Sequence, residues 1–170
     1  MINALFAVDQ YGGMGFNGSL PWPHNAEDLA RFKQLTTGHV VVMGRKTYDD
    51  PKMPKPLKDR TVYVVSNRLL ADSAYQISGD INEELLKIEN RHPDKIIWVI
   101  GGVNLLEQCT VNFDQIYLTH FKGSYKVDTR IQLKSVLAGY TPKEASASPN
   151  SLCTHVIYEN IFKRPKPSFN

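Results

Sequence analysis

The chain reads as an α/β domain built on a central mixed, mostly parallel sheet, with an antiparallel C-terminal edge and about four flanking helices. Three observations predict this. Four short runs, Ala4 to Val8, Val40 to Met43, Val62 to Val65 and Ile96 to Ile100, are apolar almost throughout and rich in β-branched residues, the pattern of strands covered on both faces. Stretches with helical period separate them. Late in the chain Gln115 to Phe121 and Thr154 to Tyr158 mix polar with apolar residues, as antiparallel strands near a sheet edge do.

In chain order, the first strand leads into a glycine-rich loop at 12–18 and then a helix over Ala26 to Leu35, with Asn25 as its N-cap. The second and third strands end in Gly44 and at Ser66. A second helix is predicted from Glu83 to Ile88 with Asn82 as cap. The fourth strand closes on Gly101-Gly102, and a further helix starts near Val103. Between the two late strands, Ala138 to Asn150 is rich in Gly, Pro and Ser and reads as a surface loop. Residues 1–162 form one domain in this reading, and 163–170 a basic, Pro-containing, loosely held tail.

Composition excludes several classes. With 170 residues, 42% hydrophobic and 22% charged, the chain is the size and character of one soluble globular domain, so neither a disordered nor a membrane class is expected. The apolar runs fall short of the roughly eighteen residues a spanning helix needs, and the start has no basic segment ahead of an apolar one, so a cytoplasmic protein is expected. A net charge of +3 suits anionic small molecules but is too small and scattered for a nucleic-acid footprint. Cys109 and Cys153 have no His or Cys at metal-ligand spacing and read as buried apolar residues, so no metal is expected.

Gly13-Met14-Gly15-Phe16-Asn17-Gly18 matches the G-x-G-x-x-G spacing of a dinucleotide-binding fingerprint. That fingerprint needs a helix directly after the glycines and an acid about twenty residues on. Here Pro21 and Pro23 follow, which no helix interior accommodates, and Glu27 and Asp28 come too early. Gly44-Arg45-Lys46-Thr47 likewise fails as a P-loop, because Arg45 separates the glycine from the lysine. What it keeps is a strand end followed by two cations at a helix start, suited to a phosphate or else a plain exposed basic turn. Arg68 after Ser66-Asn67 places a second cation at a neighbouring strand end, where open α/β sheets bind ligands. Gly101-Gly102 permits a close backbone approach, an unusual peptide geometry or simply a tight turn.

Asp28 falls at N3 of the first helix, where an acid interacts favourably with the helix start. Helical spacing also puts Asp28, Phe32 and Leu35 on one face, while Glu27 precedes Arg31 by four as an ion-pair partner on another. A carboxyl on an inward-facing apolar stripe loses water, and can exchange protons with, or hydrogen-bond to, a heterocycle bearing N–H groups.

Taken in order, Ala7-Val8-Asp9, the glycine loop with Leu20-Pro21-Trp22, Asp28-Leu29 with Phe32-Lys33, Val42 to Thr47, Pro56-Leu57 with Arg60, Ile100-Gly101-Gly102 and Tyr117-Leu118-Thr119 resemble the dihydrofolate reductase family. The resemblance runs from Ile2 to about Thr129. It implies that fold and an NADPH-dependent reduction of 7,8-dihydrofolate to tetrahydrofolate, with hydride transferred to pterin C6 and a proton to N5. It implies that Asp28 is the active-site acid, supported by Thr119, with Trp22 ordering water nearby. Leu5 and Phe32 would line the substrate pocket and Arg60 would grip the glutamate carboxylate. Cofactor contacts are implied at Ala7, at Met14, Gly15, Asn17, Gly18, Ser19 and Leu20 of a mobile lid, at Arg45, Lys46, Thr47, Ser66, Asn67 and Arg68 around the adenosine phosphates, and at Gly101, Gly102, Val103, Asn104 and Leu105. The glycine pair matches one the family joins by a cis peptide. The expected partner is the small-molecule substrate alone, without nucleic acid or membrane, and the expected state is a monomer.

Val103 and Leu106 depart from the family's usual Gly or Ser and Tyr, and 50–55 is longer and more basic than usual. Two rival readings stand beside this one. A related reductase acting on a pyrimidine intermediate of flavin biosynthesis should lack the combination of Trp22, Asp28 and Arg60. A silent binding module would keep the pocket without turnover.

Overall fold

The computed structural model describes residues 1–68, 70, 74–109, 113–149 and 152–163. The β-branched, apolar runs form the centre of one sheet. Strands β1 (Ile2–Val8), β3 (Val40–Gly44), β4 (Thr61–Val65) and β6 (Ile97–Gly101) are mutually parallel, with the short β5 (Tyr75–Ile77) beyond β4. On the far side of β1 lies β7 (Gln115–Phe121), also parallel, followed by the antiparallel β10 (Cys153–Asn160) and β9 (Tyr140–Ala147). The eight-stranded order is β5-β4-β3-β6-β1-β7-β10-β9, and β2 (Gly13–Gly15) pairs separately with β8 (Thr129–Arg130).

The predicted mixed, mostly parallel sheet with an antiparallel C-terminal edge is thus what forms, but β7, expected to be an antiparallel strand near that edge, lies inside the sheet and parallel to β1. Its polar Thr119 reflects a bond to Asp28 rather than an edge. Five helices are described: α1 (Ala26–Thr36), α2 (Arg45–Asp49), α3 (Ile81–Arg91), α4 (Val103–Cys109) and the four-residue α5 (Leu133–Val136). None of the described helices is long and apolar enough to cross a membrane. Of the predicted tail, 164–170 lies outside the described residues.

Two further expectations need correction. Residues 138–150 are not a loop throughout, because β9 occupies Tyr140–Ala147. It is an edge strand, exposed along nearly its whole length and hydrogen-bonded only to β10, so it carries no apolar alternation for a sequence reading to find. Pro142 is tolerated there, next to a register shift opposite Ile157 and Tyr158. The second correction concerns α3, which starts at Ile81 and is capped by Asp80, whose Oδ1 accepts from the Glu83 amide at 3.2 Å. Asp80 and Asn82 are equally good cap types. The core decides, since starting at Ile81 lets Ile81, Leu85 and Ile88 face inward together.

Successive side chains along a strand face opposite sides. Ala4, Phe6, Val8, Val40, Val42, Val99 and Leu118 join Leu85, Ile88, Leu105 and Leu106 of α3 and α4 in one buried core. The opposite face carries a smaller cluster of Val41, Met43, Val64, Tyr48 and Leu57, and another of Trp22, Phe121 and Cys153. The connection from β1 to β3 runs one way across the sheet and that from β6 to β7 the other, with β6 between β3 and β1. Such a reversal opens a crevice at the carboxyl ends of the parallel strands.

Candidate active site

Helix α1 begins where Asn25 Oδ1 accepts the Asp28 amide hydrogen at 3.0 Å. Asp28 therefore sits at N3, and the same helical phase turns it toward the sheet. Its Oδ1 accepts a hydrogen bond from Thr119 Oγ1 at 2.9 Å. Thr119 is 2% exposed on β7, where the parallel register pairs it with Ala7 of β1. Leu5, buried two residues earlier, shares that face. The sequence positions of Leu5, Ala7, Asp28 and Thr119 thus converge at one edge of the crevice.

Phe32, one turn beyond Asp28 and half-buried, lies under the Arg60 guanidinium, 5.9 Å from ring centroid to Cζ. Arg60 is held by donating from Nη1 to Thr36 Oγ1 at 3.1 Å and from Nε to the Lys58 carbonyl at 3.0 Å. Burial pushes its pKa down against the Asp59 charge. Trp22 stacks on Phe121 with centroids 4.2 Å apart and meets Tyr125 edge-on at 6.0 Å, so its ring is a packed wall beside Ala7.

The cationic strand ends also meet. Arg45, Ser66, Asn67 and Arg68 line a cavity of about 430 Å³ with Ser78, Gly79 and Ile81. Arg45 Nε donates to both Asp49 carboxylate oxygens at 3.0 and 3.1 Å, and its Nη1 to Ser66 Oγ at 3.2 Å. Arg68 Nη2 lies 3.6 Å from the same Asp49. One carboxylate thereby holds two guanidinium groups side by side, a paired positive charge suited to an anion such as phosphate. Lys46 is exposed on α2 and Thr47 half-buried.

The peptide between Gly101 and Gly102 is cis. A Cβ at Gly44 would lie 3.3 Å from the Gly102 nitrogen, so the glycine lets the ends of β3 and β6 close on each other. Val103 and Asn104 open α4, half-buried and exposed. Leu105, at 5% exposed, packs its side chain into the core with Leu106 and Cys109. Only its backbone remains for a ligand.

The glycine loop has its own reasons. A Cβ on Gly13 would fall 2.6 Å from Asp9 Oδ2, and Asp9 accepts from the amides of Gly13, Tyr11 and Tyr125. Burial opposes ionisation of Asp9, but those donors and Arg130 outweigh it and hold the carboxyl below its usual range. Asn17 and Gly18 both have positive φ between the paired Phe16 and Ser19, the geometry of a type I′ turn. The spacing thus spells a fingerprint but builds a hairpin. Met14 packs against the core and Leu20 is exposed, while Gly15 and Ser19 are half-buried. The hairpin is tied down by the Asn17 amide donating to Asp128 Oδ2 at 3.0 Å and Ser19 Oγ to Asp50 Oδ2 at 3.1 Å. In the 50–55 segment the Lys55 ammonium sits 4.9 Å above the Tyr48 ring.

Two residues beside Asp28 escaped the sequence reading. His155 on β10 places Nδ1 3.0 Å from Thr119 Oγ1. Arg31 does not pair with Glu27. Its guanidinium turns inward, 5.7 Å over the Tyr117 ring, with Nη1 buried without a hydrogen-bond partner among the described residues. Burial pushes its pKa down, opposed by the nearby Asp28 and Tyr117. A polar position every third or fourth residue on α1 was the available signal for Arg31; for His155 there was none. Both cysteines are free and buried, as expected. Among the described residues no three of His, Cys, Asp and Glu gather as metal ligands.

Comparison with known proteins places these residues in a context. The family model described as dihydrofolate reductase matches residues 1–141. The chain is 32% identical to dihydrofolate reductase type 8 of Escherichia coli over 164 residues, covering 92% of this chain and 94% of that protein. It is 36% identical to dihydrofolate reductase of Mycobacterium leprae over 130 residues, 71% of this chain and 76% of the other. Among solved structures, dihydrofolate reductase from Enterococcus faecalis, complexed with NADP(H) and RAB-propyl, superposes with a TM-score of 0.79 at 22% identity, over 94% of this chain and 95% of its own.

Proposed function

We propose, from the premise that this chain belongs to the dihydrofolate reductase family, that Asp28 is its active-site acid and that Arg45, Ser66 and Arg68 seat the phosphate groups of its cofactor. The chain's activity is the NADPH-dependent reduction of 7,8-dihydrofolate to 5,6,7,8-tetrahydrofolate. The observation that carries the assignment of the acid is the 2.9 Å bond from Thr119 to one oxygen of Asp28, on a helix face that is only half-buried. That bond fixes the carboxyl group's rotamer and leaves its other oxygen to accept from a pterin's amino and ring N–H groups.

The two arginines, gathered at the ends of β3 and β4 and held by Ser66, line the cavity with positive charge fitted to a phosphorylated ligand. Bound NADPH supplies the hydride that adds to pterin C6. The chain's own part is to hold and shield the reactants and to deliver the proton that N5 requires. Asp28 promotes that proton transfer, with Trp22 walling the site from bulk water. Leu5 and Phe32 supply apolar contact, and Arg60, already oriented by Thr36 and Lys58, takes a carboxylate at the far end of the substrate. Lys46, Thr47, Asn67, the Gly101-Gly102 pair, the backbone of residues 103–105, Ala7 and the 14–20 hairpin complete the cofactor's surroundings.

We read residues 1–162 as one such domain acting as a cytoplasmic monomer on small molecules, with neither nucleic acid nor membrane as partner. Absorbance of NADPH followed with dihydrofolate tests the function: a steady fall at 340 nm, roughly the nicotinamide band, is expected, with slower turnover on NADH because the paired arginines then face no extra phosphate. Binding of both ligands without turnover would return the silent-module reading.

A further inference from the structure

Beside Asp28 two groups stand ready to take one hydrogen. Thr119 Oγ1 lies 2.9 Å from Asp28 Oδ1 and 3.0 Å from His155 Nδ1, and a hydroxyl has a single hydrogen to donate. If that hydrogen went to the imidazole, the carboxylate would lose its partner. Both contacts are satisfied at once when that hydrogen goes to Asp28 and His155 Nδ1 itself carries a hydrogen and donates to Oγ1. The other side of the ring is compatible with the same arrangement, because Cys153 Sγ lies 3.9 Å from His155 Nε2. Burial pushes the Cys153 thiol up, so it keeps its hydrogen and can donate it to a bare Nε2, although Ser148 is also within its reach.

We propose that His155 is a positioning residue for the reduction: its Nδ1–H donates to Thr119 and thereby points the Thr119 hydroxyl hydrogen at Asp28. The proposal rests on the reading of Asp28 as the active-site acid. The placement follows from the fold. The antiparallel register of β7 and β10 sets His155 directly across from Thr119, and α1 lays Asp28 over both. Facing His155 are Asp28, Glu27 and Arg31 from α1, Cys153 on its own strand, Thr119 on β7, and Ser146 as its register partner on β9. Burial and the Arg31 cation hold the imidazole below its ordinary range, against the two acids, so the neutral ring is the working form near neutrality. Even a protonated ring would still donate from Nδ1. Only the opposite neutral tautomer breaks the chain His155, Thr119, Asp28, in which each donor polarises the next.

Nitrogen-15 NMR of the histidine-labelled full chain, with the His155 signals assigned by their loss in His155→Phe, reads the tautomer directly. Nδ1 protonated and Nε2 bare near pH 7.5 is expected; the reverse would overturn the proposal. The kinetic arm uses two variants. His155→Phe keeps the ring volume but has no donor, whereas His155→Asn keeps an amide donor where Nδ1 stood. Losing a donor chain that favours the anion should move the midpoint of the pH–rate profile for reduction upward by about half a unit in His155→Phe, and His155→Asn should restore it. Phe matching wild type while Asn is impaired would mean that the ring only fills space, and would overturn the role. Should Asp28→Asn turn over normally, the reading of Asp28 and with it the part His155 plays in reduction would fall, while the nitrogen signals would still report the hydrogen arrangement.

Discussion

Helices α1 and α3 are both eleven residues long, and each starts on a side chain that accepts the amide hydrogen three residues on, Asn25 from Asp28 and Asp80 from Glu83. Their inner faces differ. In α3, Ile81, Leu85 and Ile88 are buried at 6%, 0% and 0% exposed, and the face is filled by the core. In α1 only Thr36 is buried, while Asp28, Arg31, Phe32 and Leu35, one stripe at helical spacing, stay half-exposed. A stripe mixing an acid and a cation with apolar groups would be costly to pack dry, because each charge would need a full set of partners. Left as the wall of a crevice, it can serve a ligand that brings both an apolar ring and N–H groups. The comparison shows what separates a helix that holds the fold together from one that the fold holds in place for chemistry.

The largest expected effect lies on α1. Asp28→Asn preserves size and can still accept from Thr119, but cannot supply or take the proton. Reduction near neutral pH is expected to slow by about 10²- to 10⁴-fold with little change in thermal midpoint. Steady-state rates set beside a melting curve check this, and near-normal turnover would erase the distinction between the helices. The corresponding change on α3 is Leu85→Ala. It removes a side chain that is 0% exposed and should cost about 3 kcal/mol of stability, read from denaturant titration, while turnover per folded molecule is kept. A loss of specific activity beyond the unfolded fraction would show that α3 also carries function.

The same contrast explains what could be read from the sequence. The central strands were legible because burial on both faces makes them apolar throughout, and α1 because its cap and its stripe agree. Asp28 stood out for the second reason. The edge strand β9 was not legible, since it buries neither face and its pairing with β10 is a backbone matter. Asp80 lost to Asn82 because both residues cap well and only the position of the core decides. The hairpin at Asn17-Gly18 carried its own turn signal, hidden under the more familiar glycine spacing. Glu27 and Arg31 met the rule for a helical ion pair, but burial against Tyr117 drew Arg31 inward. His155 had no local signal at all, because its partners come from α1 and β7, far away in the chain.

The smallest effect is the sharpest test of the comparison, because it makes the same chemical change at the start of each helix. Asn25→Ala and Asp80→Ala each delete one cap hydrogen bond, nominally about 1 kcal/mol. In α3 the first turn is locked to the core through Ile81, so fraying it loosens the whole domain and the loss should appear in full as global stability. In α1 the first turn carries Asp28 and little packing, so local opening can absorb the loss: global stability should fall by less, amide exchange in α1 should quicken, and KM for dihydrofolate should rise because the acid is no longer held at Thr119. Equal losses of stability at the two caps with an unchanged KM would mean that α1 is as firmly part of the core as α3. The half-exposed stripe would then be a packing detail rather than the wall of the site.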